Sequence, residues 1–128
     1  MEQNTHRSID SRLVGTVVEL SPGKSRVTLC ATADMAADHR GLVHGGFTFG
    51  LADYAAMVAV NDPHVVLGAA TSKFLAPVTV GQEMAAAASV VSAEGRKRVV
   101  EVSVTAAGRP VFQGSFTTFV LPRHVLDS

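Results

Sequence analysis

Leu42-Val43-His44-Gly45-Gly46-Phe47-Thr48-Phe49-Gly50-Leu51-Ala52-Asp53 is the stretch on which the reading of this chain turns. A histidine and two glycines open a long apolar run, and that run contains one carboxylate, Asp53. Glycine lets a backbone come close to a ligand. A helix that starts at such a pair leaves its first N–H groups without intrahelical acceptors, at the positive end of the helix dipole. From Gly46 to Val60 the sequence is rich in alanine, holds leucine and methionine and lacks proline, which predicts a helix. The segment is apolar almost all round, so the helix is expected to be enclosed by other structure. Asn61-Asp62-Pro63 ends it, because proline cannot continue the hydrogen-bond ladder. A carboxylate about two turns inside such a helix needs a reason, since burying an unpaired charge is costly.

On either side of the helix the pattern is that of strands. Before it, apolar alternation predicts strands over 13–20 and 26–33, joined by the turn Ser21-Pro22-Gly23. Residues 34–43 are polar and irregular, and read as a loop or a short helix. After it, strands are predicted over 64–76, 83–92, 98–106 and 111–120, with turns at Glu94-Gly95 and Ala107-Gly108-Arg109-Pro110. In the third of these, Val100, Val102 and Val104 oppose Val99, Glu101 and Ser103, and in the last Phe112 and Phe116 share a face. The expected fold class is α+β: one long helix covered by a curved, mostly antiparallel sheet, its last four strands a meander. The chain reads as a single domain over residues 1–128, with residues 1–10 expected to be loose. One helix cannot cover every edge of so apolar a sheet, so pairing with a second copy is expected.

Composition narrows the classes. Apolar residues make up 47% of the 128 and charged ones 17%, which marks an ordered globular chain. Eleven basic and eleven acidic side chains balance, so nothing points to nucleic acid or an anionic membrane. Arg96-Lys97-Arg98, the one basic cluster, reads as a solvated hairpin tip, the other reading being a phosphate contact. The single cysteine, Cys30, rules out an intrachain disulfide and a cysteine-rich zinc site, and is expected in a strand as a small apolar residue. Residues 1–7 have no apolar signal core, and no stretch is long enough to span a bilayer, so a cytoplasmic location is expected. His39, His64 and His124 have no metal-ligand spacing, and no metal is expected.

The residues also suggest a chemistry. On a helix Gly46, Gly50 and Asp53 fall near one face, and the two glycines leave room beside the carboxylate. Donors at Gly45 and Gly46 could hold an oxyanion, and Asp53 could attack a carbonyl or activate water. The plainer readings are a tight turn for the glycines and, for Asp53, an ion pair with Lys73 or a cap on a neighbouring backbone group. His44 could touch the substrate or hold the loop. Phe49 and Met57 read as core or as pocket lining, and Asp38 as water-orienting or as a solvated loop residue.

With these residues in view, the chain resembles the hotdog-fold acyl-CoA thioesterases from about Leu13 to Val120. The specific part is His44-Gly45-Gly46 followed by Leu51-Ala52-Asp53, with Asp53 eight residues after Gly45, as in the phenylacetate-pathway and 4-hydroxybenzoyl-CoA thioesterase branch. Thr71-Ser72-Lys73-Phe74-Leu75-Ala76-Pro77 is similar to that family's strand after the helix. The resemblance implies hydrolysis of acyl-CoA with Asp53 as nucleophile or general base, the Gly45 N–H as oxyanion donor, and His44 beside them. It also implies substrate contacts at Gly46, Asp38, Gly50, Met57, Thr71 and Ser72. No cofactor is implied, coenzyme A being part of the substrate, and the partners are acyl-CoA and a second copy, as a homodimer or dimer of dimers (homotetramer). Two departures stand out. Asp38 or His39 occupies the place of a family Asn or Gln, and a hydroxyl found in some relatives falls at Leu67 or Gly68. Residues 95–120 also resemble the ligand-binding domain of a bacterial fatty-acid-synthesis repressor that binds malonyl-CoA. The alternative is therefore a non-catalytic acyl-CoA-binding or sensing module. An enoyl-CoA hydratase of the same fold fits less well, because residues 54–61 contain no histidine.

Overall fold

The computed structural model describes residues 1–127. One helical turn, α1 (Ser11–Val14), leads into β1 (Thr16–Ser21) and β2 (Lys24–Cys30). A 3-10 turn (Ala33–Met35) and a loop follow, then α2 (Gly45–Val60). The chain continues through β3 (Val65–Phe74), β4 (Glu83–Glu94), β5 (Lys97–Ala106) and β6 (Arg109–Val120), and a 3-10 turn covers Val125–Asp127. This is the hotdog fold: six antiparallel strands curved around one main helix.

The first strand is shorter than its alternation suggests, because residues 11–14 are helical. Asp10 caps that turn by accepting from the Arg12 N–H at 2.8 Å, and Gly15, at φ 105°, ends it. No other residue fits at position 15. A Cβ there would lie 2.7 Å from the Thr28 carbonyl oxygen and from Val27 Cγ1, and 3.1 Å from Leu51 Cδ1. The second strand begins at Lys24 and stops at Cys30, whose side chain is exposed rather than packed as an apolar one.

The strand order is β1-β2-β4-β5-β6-β3. Only β4, β5 and β6 form a meander, so the expected four-strand meander is corrected: β3 pairs with β6 and lies at the sheet edge. The cause is the connection over residues 75–82. Its backbone bonds elsewhere, with Val43 N–H to the Val78 carbonyl at 2.8 Å, Val80 N–H to Gly41 at 2.9 Å and Gly81 N–H to Ala31 at 2.8 Å. Those bonds carry the chain past the helix start and deliver β4 beside β2 instead of beside β3. At the β5–β6 turn, Arg109 and Pro110 belong to the strand, and a register shift at Val104/Thr105 accommodates the proline.

Helix α2 lies mainly against β2, β4 and β5. Val27, Ala86, Ala88, Val100, Val102, Val104, Phe112 and Phe116 form the inner sheet face beneath it. Strand β3 is different: from Gly68 to Phe74 every residue is exposed, and its outer edge has no partner strand among the described residues. The opening residues, expected to be loose, are tied to the far end of α2. Gln3 donates to the Tyr54 hydroxyl at 3.0 Å, and Asn61 binds the backbone of Asn4 and Glu2 at 2.7 and 2.8 Å. Among the described residues no helix is long and apolar enough to cross a membrane.

Candidate active site

The helix start is held from both sides. His44 is the N-cap of α2; its N–H donates to the Met35 carbonyl at 2.9 Å, while Val43 bonds to Val78. The His44 side chain makes no capping bond. Its exposed ring lies edge-on to Phe47, with centroids 6.3 Å apart, and covers Gly46, where a Cβ would sit 3.0 Å from Cδ2 and Nε2. Helix formation begins at Gly45, one residue earlier than expected. The Gly45 and Gly46 N–H groups have no acceptor among the described residues, the condition an oxyanion donor must meet.

Beside Gly45 opens a cleft of about 410 Å³. Gly45 forms part of its wall with Thr48, Phe74, Leu75, Val78 and Val111. A Cβ on Gly45 would come within 3.3 Å of the Phe74 ring, so the missing side chain keeps the backbone accessible beneath that ring. Thr48 is buried, and its hydroxyl faces only the Met84 sulfur, at 3.5 Å.

Asp53 sits two turns further along the helix. It is half-buried, and its Oδ1 is the one buried side-chain oxygen or nitrogen without a hydrogen-bond partner among the described residues. Burial raises its carboxyl pKa above the ordinary 3.8. Neither plainer reading of Asp53 is met: no ion pair with Lys73 forms, and Oδ1 caps no backbone group among the described residues. Lys73 is on β3 opposite Gln113, on the sheet face away from the helix, and the ion pairs among the described residues are Arg12–Asp10 and Arg26–Glu19. Toward the helix start the Asp53 face is bare at Gly50, where nothing lies within 4 Å of a Cβ, while the His44 ring stands over Gly46. Phe49, one turn before Asp53, reaches the sheet through Phe116 and Phe112, with centroids 5.5 and 6.4 Å apart.

The remaining candidates separate. Thr71 and Ser72 are adjacent in β3 and therefore face opposite ways. Ser72 pairs with buried Gly114 on the helix side, whereas Thr71 pairs with Ser115 on the outer side, away from the helix face that carries Asp53. Met57 is core, at 1% exposure. Asp38 is exposed and organises its own loop, its Oδ1 accepting from the Arg40 and Leu42 N–H groups at 2.9 and 3.2 Å. Arg98 turns back on its hairpin and donates to the Gly95 carbonyl at 2.7 Å. Among the described residues no three His, Cys, Asp or Glu side chains gather as a metal site. The cleft-lining residues Thr48, Val78 and Val111 are those that sequence reasoning missed. They come from three separate segments, and only the Phe74-Leu75-Ala76-Pro77 run carries a local signal.

The thioesterase superfamily profile matches residues 40–113, and the chain belongs to that family. Among solved structures it is similar to an uncharacterised protein, PH1136, from Pyrococcus horikoshii (47% identity, 99% of this chain and 98% of that one, TM-score 0.97). It is also similar to a mutant of the phenylacetic acid degradation protein PaaI from Thermus thermophilus (31%, 85% and 95%, TM-score 0.78). Among curated proteins it is 45% identical over 94% of its length to a methylthioribose-1-phosphate isomerase from Aquifex aeolicus, spanning 26% of that protein. It is 28% identical over 92% to the transcription factor FapR of Caldanaerobacter subterraneus, spanning 60% of it. This last similarity runs along the whole chain and is not confined to residues 95–120.

Proposed function

We propose that this chain hydrolyses acyl-CoA thioesters in a site shared between two copies. The observation that carries the reading is Asp53: a half-buried carboxylate with a free Oδ1, one turn from Gly50, which leaves the helix surface bare. The thioester carbonyl oxygen takes the Gly45 N–H, where the helix dipole adds to the donor. Asp53, acting as general base, removes a proton from water as the water oxygen adds to the carbonyl carbon. The tetrahedral oxyanion then collapses, the C–S bond breaks, and the proton returns from Asp53 to the departing thiolate. Direct attack by Asp53 would give a mixed anhydride that water then opens.

One chain does not bring these groups together. Eight residues at 1.5 Å each place Gly45 and Asp53 about 12 Å apart along the helix, far beyond the roughly 3 Å each must keep from one carbonyl. The exposed β3 edge is where this reading puts the partner: a second copy pairing there would extend the sheet and carry its own Asp53 toward this Gly45. The PaaI relationship and the superfamily membership support hydrolysis.

The test is mixed dimers of Asp53→Asn and Gly45→Pro. Proline suits the first helical position and removes the donor. Each variant alone should release thiol from acyl-CoA at least about 100-fold more slowly than wild type. Co-expressed, they should recover about a quarter of wild-type activity, half the dimers being mixed with one intact site in two. No recovery, from variants that still dimerise, refutes the shared site. Absence of thiol release by the wild type, with acyl-CoA bound, would favour the sensing reading, which the FapR similarity supports.

A further inference from the structure

The walls of the Gly45 cleft carry information about the acyl group. Val43, Phe74, Leu75, Pro77, Val78 and Val111 line it, and among the described residues no charged side chain does. Its single polar side chain, Thr48, already faces the Met84 sulfur. At about 410 Å³ it lies in the size range of small-molecule sites, which bind by apolar contact with a few placed polar groups. The pantetheine arm of coenzyme A is a poor occupant, because its amides would be buried with almost no side-chain partners. The strand along which a second copy would pair turns no cation to its helix side. The helix-side residues of that strand include Leu67, Ala70, Ser72 and Phe74, and Lys73 faces the other way. The ionisable group that this arrangement places beside the reacting carbonyl is therefore an acid, Asp53.

We propose that the site selects thioesters of uncharged, apolar acyl groups, seats the acyl chain in the Gly45 cleft, and rejects acyl groups that end in a carboxylate, such as malonyl or succinyl. The inference rests on the thioester reading of the site. Arg109, the cation beside the wall, is outside the lining and donates to the Pro77 carbonyl at 3.3 Å, so a terminal carboxylate would enter a cleft whose lining holds no counter-charge and would be repelled by ionised Asp53.

Binding and turnover separate the two proposals. Calorimetry on the full chain would compare the non-hydrolysable thioethers S-hexyl-CoA and S-(3-carboxypropyl)-CoA, while thiol release is followed from hexanoyl- and succinyl-CoA. The hexyl thioether should bind at least about 30-fold more tightly. Equal affinity, preference for the carboxylated ligand, or binding of neither overturns the inference. Preference for the hexyl ligand without any thiol release upholds it and removes hydrolysis; equal hydrolysis of both thioesters does the reverse. Leu75→Lys places a cation at the half-exposed rim, where the fold tolerates it. It should shift the affinity ratio at least about tenfold toward the carboxylated ligand. An unshifted ratio in a folded variant puts the acyl chain elsewhere and overturns the proposal.

Discussion

Replacing Asp53 by Asn should separate stability from activity in opposite directions. In the folded chain Oδ1 is buried without a partner, and burial raises the carboxyl pKa. Well below the ordinary value of 3.8, folded and unfolded chains both hold the proton and the group costs nothing. Between that value and the raised folded one, the folded chain binds more protons, so stability falls as pH rises; above it the loss is constant. Leaving a buried charged acceptor without a partner costs about 1–3 kcal/mol or more, and Asn removes the charge. Asp53 is only half-buried and Asn keeps an oxygen in place, so the expected gain at pH 7 is near the lower end, about 1 kcal/mol. For a domain of this size that raises Tm by roughly 3–5 °C at fixed protomer concentration. Loss of the base should lower kcat by about 10²–10⁴-fold. Calorimetric melts at pH 3 and pH 7, with thiol release measured on the same samples, read both effects. The melting gain should vanish at pH 3, and the acid limb of the wild-type rate profile should lie above the ordinary carboxylate range. A variant that melts lower than wild type at pH 7 would mean that the carboxylate is paired, and the buried-charge reasoning fails. Full turnover would remove Asp53 from the chemistry.

Gly15→Ala should destabilise by about 2 kcal/mol or more, from the left-handed backbone and the 2.7 Å approach to Thr28 and Val27; an unchanged urea midpoint would contradict this. Ser72→Ala should lower kcat/KM while Thr71→Val leaves it unaltered, because the strand turns these neighbours to opposite faces; equal effects would place the site on the wrong side of the sheet. Ala70→Glu, on the exposed edge strand, should shift the sedimenting species toward monomer and abolish thiol release together. Monomers that still turn over would refute a shared site.

Read alone, the chain already determined most of its local elements and singled out the candidate residues for chemistry. The proline-free alanine-rich run between Gly45 and Asn61 could only be a helix, and its all-round apolarity required a sheet around it. Alternation placed Val100, Val102 and Val104 on the buried face, and the glycine-to-aspartate spacing singled out Gly45 and Asp53. Local patterning failed where long-range pairing decides. Nothing in the β3 sequence says that its partner is β6, because that follows from backbone bonds spent by the 75–82 connection on segments far away in sequence. The same connection and the start of β6 bring Val78 and Val111 to the helix start, so the cleft exists only in the folded chain. Register likewise settled what adjacency left open, turning Ser72 toward the helix and Thr71 away. The distance along one helix, about 12 Å, keeps Gly45 and Asp53 of one chain from meeting at a single carbonyl. Local propensity and periodicity, both properties of the sequence, decide which groups are present and on which element. Tertiary structure decides which of them can meet, because that depends on where distant backbone finds its hydrogen-bond partners.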